Sequence, residues 1–289
     1  MSAFAGDLFV AVQQRNLVAI NQLINEGADV NMQNEHGNTP LHEAIYSNFT
    51  KGAILLIVPD FKIFIADNNG RNVVHAAILK NNTVILEHLI PFISNINAVD
   101  KWGNTALHIA AREGCTSCIE LLLNSKKRSY APVSQGYNPF SFALLTNENE
   151  DESVLTTAIN VNRENILGDT PLHLAARGGH YECLLKLLQT QGIDVNHTNK
   201  DKYTALDYAA KAEHKNCVEL LLTFCPKPSG KPDKKNNNLI HKAVFENDLN
   251  SLHFLLEDNK FIDVNIQDEH GCSPLWHSAA RGKQACLDM

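Results

Sequence analysis

No stretch of this sequence approaches the roughly 18 consecutive apolar residues of a membrane-spanning helix, so no membrane insertion is expected. The opening segment MSAFAGDLFVAVQQRN lacks a basic leader and turns polar at once, which argues against a Sec-type signal peptide. Positive charge is in deficit, with a net charge of -7 and a pI near 6.0. That argues against binding nucleic acid with the surface as a whole. Seven cysteines are an odd number and too few for a disulfide scaffold in 289 residues. A reducing, cytoplasmic compartment is therefore expected. No GxxxxGK[ST] loop is present to cradle a phosphate, and no nucleophile has a local signature of an ordered base. Cofactors are expected to be none.

What the chain does contain is enough apolar sequence, 44%, against 20% charged residues, to bury a core. Asn is frequent, as in NNTV, NENE and KKNNN, which is read here as the mark of an AT-rich genome rather than a physical demand. The main signal is internal repetition. Anchors at Thr39, Asn72, Thr105, Asn138, Thr170, Thr204, Asn238 and Ser273 are spaced by 33, 33, 33, 32, 34, 34 and 35 residues. Strong copies read TPLHEAI, TALHIAA, TPLHLAA and TALDYAA; worn ones read NVVHAAI, NPFSFAL, NLIHKAV and SPLWHSA.

Each position has a mechanical reason. The anchor is a helix N-cap, whose side-chain oxygen takes a backbone N–H left unpaired at the helix start. Pro suits the next position, where its missing N–H costs nothing. Leu and the paired Ala make one narrow apolar face. Gly114, Gly179 and Gly282 fall where the helix must stop and turn. A second helix follows, as in SCIELLLN and ECLLKLLQ, then GADVN, GIDVN or FIDVN, and a turn carrying Gly.

This unit resembles the ankyrin repeat, with its 33-residue period and T-P-L-H-x-A pattern. The resemblance implies an all-α solenoid of paired antiparallel helices with β-hairpin fingers. It covers residues 1–289 as a single domain: an N-terminal capping unit at 1–34, then repeats from about 35 to 289, the last one incomplete. Departures stand at Ser141 and Asp207, each in the place of the motif His, at Lys202 in the place of the turn Gly, and in the loose segment CPKPSGKPDKKNNN. Stacking is expected to be least regular there. The basic run inside that segment reads as a solvated loop or a contact for an acidic partner.

The repeat register also disposes of the candidate chemistry. His42, His75, His108, His173 and His241 occupy the motif position, where the resemblance implies a hydrogen bond between adjacent turns. Cys115-x-x-Cys118 could be half a zinc site or a redox pair, but no second pair of ligands lies nearby in sequence. Cys118, Cys183, Cys217 and Cys286 each sit 13 residues after an anchor, where a small buried side chain is wanted. Metal and catalytic residues are therefore expected to be none.

Function should then lie in surface positions that folding does not fix. Seven residues after the anchors stand Tyr46, Leu79, Arg112, Leu145, Arg177, Lys211 and Phe245, expected to face the concave side. Ile109, Phe142 and Tyr208 flank them, four residues after their anchors. Trp102, Ile166 and Leu167 occupy finger tips. Aromatics and Arg are enriched at binding hot spots. The expectation is a monomeric, non-enzymatic module that binds a protein or peptide. Worn repeats with high Asn are similar to those of secreted effectors of intracellular bacteria, which implies a host protein as partner. The alternative is the targeting part of a larger enzyme whose catalytic domain follows residue 289.

Overall fold

The computed structural model describes residues 3–58, 60–125, 158–224, 239–257, 264–268 and 270–289. The Asn138 repeat, with Ser141, Phe142 and Leu145, and the segment CPKPSGKPDKKNNN lie outside the described residues. The described chain forms two compact units, Met1–Ile166 and Leu167–Met289.

In the first unit the helices pair in sequence order: α1 (Ala3–Gln13) with α2 (Leu17–Asn25), α3 (Pro40–Tyr46) with α4 (Thr50–Leu56), α5 (Val73–Leu79) with α6 (Thr83–Leu89), and α7 (Ala106–Arg112) with α8 (Thr116–Leu123). First helices stack on first helices, α1 on α3 on α5 on α7, and second helices on second helices, α2 on α4 on α6 on α8. The second unit pairs α9 (Pro171–Arg177) with α10 (Tyr181–Leu188), α11 (Ala205–Lys211) with α12 (Lys215–Phe224), α13 (Leu239–Glu246) with α14 (Leu249–Glu257), and α15 (Pro274–Ala280) with α16 (Gln284–Leu287). There α9 stacks on α11 and α13 on α15, while α11 also meets α14, a second helix of the following repeat.

Most of these helices span about two turns and would not persist alone in water. Local capping and the small-residue face make them viable. Thr39, Asn72, Thr105, Thr170, Thr204 and Ser273 are all N-caps, as the repeat register requires. Ala44, Ala76, Ala77, Ala110, Ala111, Ala175 and Ala176 are fully buried, and their methyl-sized side chains let neighbouring helices approach closely. Cys118, Cys183, Cys217 and Cys286 are buried in the slot that wants a small apolar group.

The fingers are built from turns rather than ladders. Asp100 shows the pattern: its Oδ1 accepts N–H from Trp102 at 2.9 Å and Asn104 at 2.8 Å, and the Gly103 N–H returns to the Asp100 carbonyl at 3.0 Å. Gly103 has φ +76, and a Cβ there would stand 3.0 Å from the backbone nitrogen of Ile166, so both conformation and space require glycine. Among the described residues only Val99 and Thr105 form a β-bridge. Successive fingers are joined by single backbone bonds: Asn68 N–H to His36 O, Lys101 N–H to Asn69 O and Ile166 N–H to Trp102 O, each 3.0 Å.

The motif histidines supply the second link between repeats. The Thr39, Asn72, Thr105 and Thr170 backbone N–H groups donate to Nδ1 of His42, His75, His108 and His173. Nδ1 must therefore be bare and Nε2 protonated. Nε2 of His42, His75 and His173 then donates across to Arg71 O at 3.1 Å, Ala98 O at 3.2 Å and Tyr203 O at 2.9 Å. His241 does the same to Cys272 O at 2.9 Å. Burial pushes His42 and His173 below the usual imidazole range and His75 down to about 4.

Asp207 breaks this pattern. Its Oδ2 accepts from Thr204 N at 2.6 Å, but a carboxylate cannot donate onward. The next repeat answers with Lys242, whose Nζ reaches Asp207 Oδ2 at 3.2 Å and the Lys202 carbonyl at 2.9 Å. An ion pair thus replaces the neutral link, with both side chains largely buried. Lys202, in the turn-glycine slot, adopts φ +66 like the glycines it replaces.

Candidate functional site

The row seven residues after the anchors closes the first helices, so its side chains leave the helix ends rather than the packed faces. Tyr46 and Leu79 are half-buried, and Arg112, Arg177 and Lys211 are exposed. Tyr46 serves the fold, since its hydroxyl donates to Asp67 Oδ2 at 2.9 Å and ties α3 to the next finger. Burial, together with the Asp67 charge, pushes that phenol well above its ordinary range. Arg112 pairs with the adjacent Glu113 at 2.8 Å. Such an exposed pair contributes little to stability.

In residues 167–289 the aromatic and cationic side chains gather. The Arg177 guanidinium lies 5.6 Å from the centre of the Tyr208 ring, and Tyr208 stacks on Tyr203 at 5.5 Å with the planes 11° apart. Lys242 Nζ sits 3.4 Å and Lys211 Nζ 4.9 Å from the centre of the Tyr203 ring. The Tyr203 hydroxyl donates to Glu246 Oε1 at 2.5 Å and accepts from Lys211 at 3.1 Å. Phe245 is half-buried, with Arg281 4.1 Å from its ring centre and His277 4.6 Å away. The helix-end row contains Arg177, Lys211 and Phe245 and the flanking row Tyr208; Tyr203, just before its anchor, lies in neither because no rule of the repeat assigns that slot outward.

Ile109 requires a correction. Four residues past its anchor, it was expected to flank the binding strip, yet it is 0% exposed. The same slot in the next described repeats holds Leu174, buried, and Tyr208, half-buried. A branched aliphatic side chain at this point packs into the stacked first helices, whereas the longer Tyr reaches past them.

The finger tips divide. Ile166 and Leu167 are 51% and 50% exposed. Trp102 is half-buried rather than fully exposed, with Arg71 5.0 Å and Lys101 4.5 Å from its ring centre. Arg71 comes from the preceding finger, so the indole takes part in finger stacking. Trp102→Ala is expected to cost about 1 kcal/mol, the scale of one or two cation–π contacts. Urea denaturation of Trp102→Ala, Arg71→Ala and the double variant should give a coupling of about 0.5 kcal/mol or more; additive effects would remove Trp102 from the stacking.

Sequence reasoning also missed an apolar cleft of ≈ 120 Å³ in the first unit, lined by Ile63, Phe64, Val74, Ile93, Ile96 and Ala106 among others. Phe64 at its rim is 70% exposed. Phe64 lies between repeats, where the motif carries no pattern.

One cluster has the composition of metal ligands. His241, Asp268 and His277 are buried with candidate ligand atoms within 4.8 Å of one another. Each already has a packing partner. His241 Nε2 donates to Cys272 O, His277 Nε2 lies 2.6 Å from Asp268 Oδ2, and Asp268 Oδ1 accepts from the backbone of His270 and Cys272. The backbone N–H of Cys272, followed by His277, holds the Asp268 carboxyl down to about 2. His277 is displaced by one residue from the motif position, which Trp276 occupies.

No helix among the described residues is long and apolar enough to cross a membrane. The family model for ankyrin repeats (three copies) matches residues 8–97, 53–133, 80–165 and 133–228. The chain is 23% identical over 287 residues to an ankyrin repeat protein, L371, of Acanthamoeba polyphaga mimivirus, covering 90% of this chain and 37% of that protein. It is 27% identical over 210 residues to human transient receptor potential cation channel subfamily A member 1, covering 69% of this chain and 18% of the channel. It thus spans well under half of either relative. Among solved structures, EF0377, an ankyrin repeat protein, superposes with a TM-score of 0.59 at 21% identity over 75% of this chain and 96% of its own. The capped helix pairs, the histidine links and the family match agree: the chain belongs to the ankyrin-repeat family.

Proposed function

We propose that this chain is a non-catalytic module that binds a protein or peptide partner, and that the face bearing Arg177, Tyr208, Lys211 and Phe245 carries much of the contact. The observation behind this reading is that Arg177 and Lys211 project from helix ends beside aromatic rings, in slots where other repeats hold Tyr46 and Leu79. The fold does not dictate those residue types. Desolvated Arg and Tyr are the side chains that most often dominate binding energy. Ile166, Leu167 and Arg112 are the further exposed candidates; Phe142 and Leu145 stay candidates on sequence alone. Acting as a monomer in the cytoplasm, without nucleic acid, is part of the same proposal.

The test is affinity capture with the intact chain, mass spectrometry of what is retained, and titration of the retained partner against Arg177→Glu. Binding should weaken tenfold or more, about 1.4 kcal/mol. Stability should move by no more than about 0.5 kcal/mol, as for an exposed substitution. A partner held equally well by Arg177→Glu would remove this face from the interface. A second reading is the targeting part of a longer enzyme; the chain spans 37% and 18% of the two relatives above, neither of which is named as an enzyme. An effector acting on a host protein rests on worn repeats and Asn content alone.

A further inference from the structure

The Cys-x-x-Cys pair does more than fill a small slot. Cys118 stands in the position that also holds Cys183, Cys217 and Cys286, so packing accounts for it. Packing does not account for Cys115. Its slot, ten residues after the anchor, holds Phe49, Asn82, His180, His214, Asp248 and Lys283 in other repeats. Asn82 and Asp248 cap their second helices there, Asn82 Oδ1 taking the Ile85 N–H at 3.1 Å and Asp248 Oδ1 the Ser251 N–H at 3.1 Å.

Cys115 is likewise the N-cap of α8, and its Sγ accepts the Cys118 N–H at 3.3 Å. The N-cap and the third helical residue are the two whose side chains face each other across the first turn. Cysteines at both places are therefore brought together by the helix itself. The structure joins their sulfurs, with the Cα atoms 5.3 Å apart, within the range a disulfide spans. Asn81 Oδ1, in the turn between α5 and α6, lies 2.7 Å from Cys115 Sγ, where a thiol would donate to it. Reduction would thus supply a hydrogen bond to the preceding repeat that the disulfide cannot make.

We propose that Cys115 and Cys118 are a thiol–disulfide exchange site, closed by a low-molecular-weight disulfide such as oxidised glutathione and reopened by its thiol. The Cys115 thiolate attacks one sulfur of the reagent, and the first glutathione thiolate leaves. The Cys118 thiolate then attacks the Cys115 sulfur of the mixed disulfide and expels the second. The two cysteines lose two electrons and two protons, and the reagent leaves as two thiols. Cys115 is the outer sulfur, on a residue 4% exposed against 0% for Cys118, and Thr116 and Ser117 beside it are less covered, so the reagent meets Cys115 first. Exchange requires the Gly114 turn to open.

The full chain is equilibrated with oxidised glutathione, unfolded in alkylating reagent and digested with trypsin, which leaves both cysteines on one peptide. The expected result is loss of both alkylatable thiols from that peptide, a mass lower by two hydrogens than the unalkylated dithiol, and recovery of both thiols with reduced glutathione. Cys217 and Cys286 should stay alkylatable. Cys118→Ser should retain a single glutathione on Cys115. The proposal is overturned if both cysteines of the peptide alkylate in full, if wild type keeps a glutathione adduct instead of closing, or if Cys118→Ser carries no glutathione on Cys115.

Discussion

Lowering the pH from 7 to about 4.5 is expected to unfold much of this protein, because the histidines that link its repeats must be neutral to do so. His42, His75 and His173 each accept a backbone N–H at Nδ1, and a protonated ring has no lone pair there. The unfolded chain binds a proton at each His as the pH falls through about 6.5. Folded His75 does not do so until about 4, because burial disfavours its charged form. The unfolded state therefore binds more protons in this window, and stability declines from about pH 6.5 down to about pH 4. For His75 alone the full loss is roughly 3 kcal/mol, and His42 and His173 are displaced in the same direction. Against a typical total of about 5–15 kcal/mol the combined effect is decisive. Asp268 does not contribute here, since its depressed carboxyl withdraws support only below the ordinary Asp range. Urea titrations at pH 7, 6, 5 and 4.5 measure the effect. A flat stability across that range would sink the account, and His75→Gln should be weaker at pH 7 yet less steep.

The second large effect concerns Ile109. Truncation to Ala should cost about 2–5 kcal/mol, the usual range for a buried branched side chain that leaves a cavity. Ile109→Val should cost about 1 kcal/mol. Because Ile109 is 0% exposed, partner affinity measured on the folded fraction should be unchanged in both. Near-normal stability of Ile109→Ala together with weakened binding would mean that the side chain faces the partner after all.

The contrast between Ile109 and the anchors shows what a sequence can reveal. Thr39, Asn72, Thr105, Thr170, Thr204 and Ser273 were legible as caps because capping is settled within three or four residues. Burial of Ile109 is settled by the neighbouring repeat. Lys242 is a sharper case: Asp207 stood out as a departure from the motif, but its compensation lies 35 residues away, with no local signal. The asparagines are more than a trace of base composition. Asn48, Asn81 and Asn247 take φ of 53°, 49° and 59° where other repeats use Gly114, Gly179 and Gly282. Asn tolerates this left-handed conformation better than most residues. Asn31 and Asn97 bond to backbone groups of the following segment, Asn31 to Asp60 and Lys62, Asn97 to Ala158 and Asn160. These residues serve the fold in ways that nucleotide composition does not explain.

The Lys242–Asp207 pair makes one joint of the second unit unlike its neighbours. His173 holds its repeat with a neutral donor, so dissolved salt leaves that link almost untouched. Lys242 and Asp207 hold theirs by opposite charge, and because both side chains are largely buried, mobile ions screen that attraction only weakly. The two joints therefore fail in different ways: acid disables the His173 link by protonating its ring, whereas the Lys242–Asp207 joint fails when either partner is replaced and the other is left as a buried, uncompensated charge.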